Sequence, residues 1–554
     1  MRRGVGLLLV VLAALAWGDA AASATVSGAA VTGWRSAGIV RAAGGPYLTD
    51  AAGRRLQLHG VNLVAKCGGG AVDLPELGTP CVGLAQGPRL AYVLSPRAAD
   101  PGRRFTAADA RTLAALGFNV VRLGIIWEGL EPGQAGVGPN DPRYCAPHRI
   151  RTRFPRLGAA DPYDAAVVAA YLRRTDRIVS VLAGAGLRVI LDMHSDAWGS
   201  AFSQAAGATP WNGEGAPPWA TCTGRRKFVA TPGWGSAYAD PAVQTAIHHF
   251  WANDVAGDLQ GQYARVWQAV ARHFRADPRI LGYELYNEPN DFRVRRFDPE
   301  LQCDYAGPRR APVSCAAAGH PAALAGGLIG AVQSADRTHV VIYEPSGAVD
   351  YGAADTLGIA EPLPLGNLAL AFHAYGGIAA QLRQARAERA RTRVASPGGP
   401  ALILDEFGAT GDAPSMAGTV DLAEPLNLSW VYWSAMQLND PTGGAATEGL
   451  IDQSTRRPYP ALARALAVPY PWATAGRPGA QSFDRRTGVF RYRYATDPAV
   501  RAPTEIELPR SVYRPGYTVR VAGAEVVSAR GAHVLALRAG RRARRVALTV
   551  SPGP

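Results

Sequence analysis

The stretch Leu281-Gly-Tyr-Glu-Leu-Tyr-Asn287-Glu288-Pro289-Asn290 decides how the rest of the chain is read. An apolar and aromatic run ends in an amide, a carboxyl and a proline, as a buried strand does when it delivers Asn287 and Glu288 to an exposed C-terminal tip. Ala401-Leu-Ile-Leu-Asp405-Glu406-Phe-Gly408 repeats the design. Two carboxyls at the tips of two parallel strands fit glycoside cleavage, in which one protonates the leaving oxygen and the other attacks the anomeric carbon.

Working outward, similar apolar segments recur at Leu56 to Leu63, Asn119 to Ile126, Arg188 to His194, Ile280 to Asn287, His339 to Glu344, Leu368 to His373, Ala401 to Glu406 and Leu428 to Trp433. Between most of them lie helical patterns: Thr106 to Leu116, Asp164 to Ala185, Pro241 to Phe274, Ala316 to Ala335, Gly377 to Arg391 and Tyr459 to Leu466. Eight strands alternating with helices imply an α/β fold, a (β/α)8 TIM barrel over residues 46–470, whose active site sits at the C-terminal strand ends. Those ends carry Asn62, Arg122, His194, Asn287 with Glu288, Glu344, His373, Glu406 and Trp433. So many polar and aromatic tips point to one shared cleft, because buried polar groups must find partners.

Residues 25–45 read as a lead-in, and Tyr47 to Leu56 as a hairpin closing the bottom of the barrel. Gly476 to Gly479 looks like a linker. Beyond it, short alternating runs at 490–494, 504–508, 517–521, 532–537 and 545–550 imply a small C-terminal antiparallel β-sandwich over residues 475–554. Long insertions follow the first four strands, the usual place for walls and lids.

The 554 residues suit one large barrel and a smaller partner, and 48% hydrophobic with 18% charged residues describes a globular chain. Met1-Arg-Arg3, the apolar run Val5 to Trp17 and Ala22-Ser-Ala24 form a secretory signal over residues 1–24, too short to span a bilayer, so the mature protein is expected to be secreted. Six cysteines suit that compartment: Cys67, Cys81, Cys145, Cys222, Cys303 and Cys315. Cys67 with Cys81 and Cys303 with Cys315 could close small loops, leaving Cys145 with Cys222, but spacing does not fix the connectivity. The net charge of +14 allows peripheral contact with lipid surfaces or acidic glycans, while scattered arginines without a binding motif argue against nucleic acid.

Glu288 is the candidate acid, needing a raised pKa, and Glu406 the candidate nucleophile. Asn287 is placed to donate to the sugar 2-hydroxyl. Arg122 can hold Glu406 ionised, Tyr375 can hydrogen-bond it, and Trp433 can stack on a sugar face. His194 and His373 follow apolar strands and point toward the cleft; a two-histidine metal site is conceivable, but neither motif has a recognised metal-ligand spacing. Trp198, Phe202, Trp211, Trp219, Phe228 and Trp234 in the third insertion are candidates for an apolar slot.

The ordered set resembles glycoside hydrolase family five, and within it the endoglycoceramidases and related glycosylceramidases. The residues that carry the resemblance are His59-Gly-Val-Asn62 with Lys66, Gly117 to Arg122, Asp192-Met-His194-Ser-Asp196, Asn287-Glu288-Pro289, His373-Ala-Tyr375, Asp405-Glu406-Phe-Gly408 and Val431-Tyr-Trp433. The subgroup rests on Lys66, the Asp-Met-His-x-Asp run, Gly215 to Ala220 and Arg457-Pro-Tyr459. It implies retention through a glycosyl-enzyme on Glu406 with no metal and no organic cofactor, and Lys66 and Asp196 contacting the sugar joined to the lipid. Ser195 stands where many endoglycoceramidases have glutamine, and Ala374 with Gly376-Gly377 makes the sixth-strand motif smaller than the usual one. The implied substrate is a glycosphingolipid or another β-glycoside, acted on by a monomer. The alternatives are a β-glucanase, a β-glucosidase or a steryl glycosidase of the same fold, or a glycan- or lipid-binding protein without catalysis.

Overall fold

The structure is a computed structural model that describes residues 38–42, 45–65, 104–149, 153–204, 211–229, 234–289, 327–344, 366–375, 400–436, 448–514 and 516–553. In chain order, a short antiparallel hairpin of β1 (Leu48–Thr49) and β2 (Arg55–Leu56) leads into β3 (His59–Leu63), β4 (Val120–Ile125) and β5 (Arg188–Met193). A two-strand excursion, β6 (Ser203–Gln204) and β7 (Trp211–Asn212), precedes β8 (Ile280–Glu284), β9 (Val340–Tyr343), β10 (Leu368–His373), β11 (Ala401–Glu406) and β12 (Ser429–Tyr432). Strands β3, β4, β5 and β8 to β12 close into a parallel barrel of eight, the eight expected from the sequence.

Side-chain alternation explains how the barrel is both packed and charged. Val120, Ile190, Ile342, Ala371 and Ile403 belong to one buried apolar cluster shared by the strands. Two residues further along the same strands stand Arg122, Asp192, Glu344, His373 and Asp405, which the period of two places on the same face one layer nearer the C-terminal ends. The polar layer therefore rests on an apolar one.

Outside the barrel, helices begin where capping chemistry allows. Thr106 and Asp109 form a reciprocal capping box at Ala107–Ala115, and Asp164 accepts from Ala166 and Val167 at the start of Ala165–Gly184. The single helix expected from Pro241 to Phe274 is instead two, Pro241–Ala252 and Leu259–His273. The break falls where Asn253 and Asp258 take left-handed backbone, which ends one helix and caps the next. Helix Ala413–Ala423, capped by Asp412, was not anticipated. Of the expected helix Ala316 to Ala335 the structure describes Gly327–Ala335, and Gly377 to Arg391 lies outside the described residues.

The C-terminal part has two sheets that enclose a core of Phe490, Tyr492, Tyr494, Ile506, Leu535 and Leu548. Its strands are β13 (Tyr470–Thr474), β14 (Gly476–Asp484), β15 (Val489–Thr496), β16 (Thr504–Glu507), β17 (Tyr517–Ala522), β18 (Ala524–Val526), β19 (Val534–Ala539) and β20 (Arg545–Pro552). Two local expectations change. The segment Gly476 to Gly479 is not a linker but the start of β14, which pairs with β15 and breaks register between Pro478 and Gln481, where proline has no N–H to donate. The hairpin β1–β2 does not simply plug the barrel: β2 pairs with β13, so the chain's beginning adds two strands to a C-terminal sheet of six, ordered β1-β2-β13-β16-β19-β18.

Candidate active site

Arg122 is the centre of the site. Its guanidinium donates from Nε to Glu284 Oε2 at 2.9 Å and from Nη2 to Glu284 Oε1 at 2.7 Å, a two-toothed pair. Nη1 donates to Asn62 Oδ1 at 3.0 Å and to Glu406 Oε1, while Nη2 also reaches Asn287 Oδ1 at 2.9 Å. Asp192 and Glu344 stand 3.2 and 3.4 Å from Nη2, and Asp405 3.6 Å from Nε. Several carboxyls thus crowd one fully buried cation, and they cannot all ionise. Burial raises Glu284, but Arg122 overrides it and holds that carboxyl at about 2. Burial pushes Glu344 and Asp405 well above the ordinary carboxylate range, and Glu284 adds to the shift of both.

Above this layer sit the two sequence-singled glutamates. Glu288 follows β8 with a left-handed backbone (φ 46°), and its N–H donates to Glu344 Oε2 at 3.2 Å. His373 Nδ1 stands 3.0 Å from Glu288 Oε1 and 3.5 Å from Glu406 Oε2; its Nε2 is 3.4 Å from Glu344. Tyr375 Oη donates to Glu406 Oε2 at 2.7 Å. Taking one ligand atom from each, Glu288, His373 and Glu406 lie within 4.8 Å of one another. Such closeness suits the roughly 5–5.5 Å between carboxyl groups that retention uses better than the gap of about 6.5–9.5 Å that inversion needs for its water. Burial pushes the Glu406 carboxyl up, with Glu288 adding to it; His373 and Arg122 act in the opposite direction without cancelling it.

One wall is built on His194. Burial alone would lower its pKa, but Asp192, 2.8 Å from Nδ1, and Asp196, 3.7 Å from Nε2, push it up to about 10. Its ring stacks on Trp433 at 5.3 Å between centroids, 17° from parallel. Asn287 is fixed from both sides, accepting from Arg122 and donating from Nδ2 to the Ser195 carbonyl at 3.1 Å. Glu214, buried, pairs with Asp196 through two backbone hydrogen bonds of 2.8 and 2.9 Å. Gly215 follows with φ 122°, and a Cβ there would meet Ser195 Oγ at 2.6 Å, so glycine is required for this close approach.

Nine of the ten residues singled out from sequence converge here: Arg122, His194, Asp196, Asn287, Glu288, His373, Tyr375, Glu406 and Trp433. Lys66 lies outside the described residues. Sequence reading quoted Asp192, Glu284 and Asp405 within their motifs without giving them a role, and passed over Glu214. The first three had a signal, since an acid inside an otherwise apolar buried strand needs a partner. Among the described residues, three groups could offer ligands to a cation: Glu284, Glu344, His373 and Asp405; His194, Asp196 and Glu214; and Glu288, His373 and Glu406. In the first, the Arg122 guanidinium already stands among the carboxyls.

The second and third insertions are joined by a disulfide between Cys145 and Cys222, with Cα atoms 5.2 Å apart; the other four cysteines lie outside the described residues. The aromatic slot is corrected. Trp198, Phe202 and Trp219 are buried, with Trp198 and Trp219 meeting Trp127 edge-on at 6.3 and 5.5 Å, so they form the insertions' own core. Phe228 is half-buried against Phe202, and the side chains of Trp211 and Trp234 lie outside the described residues.

The family model for cellulase (glycosyl hydrolase family 5) matches residues 101–439, and the glycoside hydrolase family 5 C-terminal domain matches residues 469–550. Endoglycoceramidase I of Rhodococcus hoagii (strain 103S) is 27% identical over 530 residues, spanning 89% of this chain and 84% of that protein. Among solved structures, endo-glycoceramidase II from Rhodococcus sp. covers 92% of this chain and 100% of its own. It is 25% identical with a TM-score of 0.64 as its ganglioside GM3 complex, and 26% with 0.63 as its lactosyl-enzyme intermediate. Sterylglucosidase 1 of Cryptococcus neoformans, 15% identical with a TM-score of 0.61 over 94% of this chain and 98% of its own, shares the fold.

Proposed function

The chain belongs to glycosyl hydrolase family 5 and is a retaining glycoside hydrolase, and from that premise we propose that it hydrolyses the bond between glycan and ceramide in glycosphingolipids. Glu288 protonates the departing ceramide oxygen while Glu406 attacks the anomeric carbon. Glu288 then takes a proton from water as that water releases the sugar from Glu406. Asn287, anchored by Arg122 and the Ser195 carbonyl, presents its amide toward the sugar 2-hydroxyl; Asp196, Trp433 and Lys66 complete the sugar's contacts. Tyr375 and Arg122 hold the two oxygens of Glu406 in the attacking orientation.

The observation that carries the reading is the close Glu288, His373 and Glu406 group, within 4.8 Å, on a chain whose likeness to endoglycoceramidases runs through barrel and sandwich alike. We also propose that the chain is exported as a soluble monomer, from the apolar segment Val5 to Trp17; among the described residues no helix is long and apolar enough to cross a membrane.

Mass spectrometry of products from glucosylceramide, a complex glycosphingolipid and a cellooligosaccharide, incubated in parallel, tests the substrate. Free ceramide with an intact oligosaccharide is the expected result. Ceramide from the monoglycosylated lipid alone narrows the specificity, and cleavage of the cellooligosaccharide alone overturns the lipid assignment while leaving the mechanism.

A further inference from the structure

From Gly476 to the end, the chain carries fifteen arginines against five aspartates and glutamates, so this stretch supplies ten of the +14 net charges. The four-stranded sheet β14-β15-β20-β17 gathers five of these arginines on one face. On β15, buried Phe490, Tyr492 and Tyr494 alternate with exposed Arg491 and Arg493, so the arginines point away from the sandwich core. Register extends the face across the sheet. One row reads Ser482, Arg491, Thr549 and Arg520; the next Arg493, Ala547 and Ala522; the third Arg477, Ala495 and Arg545. Rows on one face are about 7 Å apart and strands about 4.8 Å, so the five guanidiniums stand over a flat patch roughly 15 Å across.

The three rows carry no carboxylate; Asp484, opposite Val489, borders them on the same face one row beyond Ser482. Among the described residues none of the five arginines forms an ion pair. Arg485 and Arg538 of the same domain do, with Asp421 and Glu525. Between the arginines stand only Ser, Thr and Ala. There is no aromatic ring to stack on a nucleobase and no large apolar side chain to enter a bilayer. Position adds a further constraint. The sandwich joins the barrel through β2 and β13 at the N-terminal ends of the barrel strands, whereas Glu288 and Glu406 stand at the C-terminal ends. An occupant of the arginine face, on the C-terminal part, is therefore separate from the cleft.

We propose that the outer face of β14-β15-β20-β17 is a docking surface for an acidic polysaccharide, whose sulfate or carboxylate groups pair with Arg477, Arg491, Arg493, Arg520 and Arg545. The contact retains the enzyme on an anionic glycan matrix while the opposite end stays free for substrate. It stands independently of the identity of the lipid substrate.

The test compares two full-length variants with equal loss of charge. One carries Arg491→Gln, Arg493→Gln, Arg520→Gln and Arg545→Gln. The control carries Arg111→Gln, Arg173→Gln, Arg177→Gln and Arg272→Gln, exposed positions on barrel helices. Heparin affinity is measured against NaCl concentration, with neutral dextran as blank, and vesicles containing phosphatidylserine run in parallel. The expected result is a loss of at least tenfold in heparin affinity and a shallower salt dependence for the first variant, and under twofold loss for the control. Both should keep their melting temperature and their hydrolysis of a soluble aryl glycoside. Equal losses in the two variants would reduce the effect to net charge and overturn the proposal. So would unchanged heparin binding in the first variant, or vesicle binding that depends on this face more strongly than heparin binding does.

Discussion

The two ends of the barrel each bury a histidine among carboxylates, and they do opposite things with it. At the N-terminal end, His59 lies between Trp430 and Tyr470, with centroids at 4.2 and 3.5 Å, and its Nε2 meets Glu424 Oε1 at 2.9 Å. Glu424 is shared there, accepting also from Trp430 Nε1 at 2.9 Å and from the amides of Gln57 and Gln481. Burial wins, and His59 is lowered from its ordinary value. At the C-terminal end, His194 is as buried, but Asp192 and Asp196 outweigh burial and push it up to about 10. The residue type is the same; the number of carboxylates not already occupied by neutral donors decides its charge. One end is a hydrogen-bonded joint to the C-terminal sheet around a histidine kept neutral, and the other stores charge around a cleft.

If that division holds, substitutions at the two ends should separate activity from stability. Glu406→Gln should lower kcat by on the order of 10⁴-fold or more, since it removes a group that acts as a unit with its neighbours, and Glu288→Gln by about 10²–10⁴-fold, both read in steady-state assays. Arg122→Met should remove activity and also destabilise by about 3–5 kcal/mol in denaturant titration, because it strands several buried carboxyls without their cation. At the other end, Glu424→Gln should cost about 1–3 kcal/mol while leaving kcat within about twofold; a tenfold loss of kcat there would break the comparison. The smallest effect is on pH dependence. Because burial raises Glu406, and Glu406 must be ionised to attack, the acid limb of kcat/KM should lie above the ordinary glutamate value of about 4.3. His194 contributes stability that is complete below about 6.5 and is lost as pH rises through about 10, so Asp192→Asn should flatten the alkaline loss, measured by urea titration across that range.

Much of this was legible because barrel strands announce themselves twice, as apolar runs and by the polar residue that ends each run. Asn287-Glu288 and Glu406 needed no structure to be paired. The layer beneath was harder to read. Asp192, Glu284 and Asp405 each lie within a strand, and only closure of the barrel brings them onto Arg122 from three directions. Trp198 and Trp219 misled because an aromatic in a long insertion reads alike whether it faces a cleft or, as here, Trp127. The hairpin's partner was equally hidden, since β2 and β13 meet across more than four hundred residues that carry no local trace of the pairing.

With Asp192, Glu284, Glu344 and Asp405 all within 3.6 Å of the Arg122 guanidinium that also holds Glu406, the central claim is which carboxyl bonds to sugar. Peptide mass spectrometry after incubation with a 2-deoxy-2-fluoro-β-glycoside bearing a good leaving group measures it directly. The account predicts one glycosyl adduct, on the peptide carrying Glu406 and localised to that residue. An adduct on Glu288, Glu344 or Asp405, with Glu406 unmodified, would contradict it.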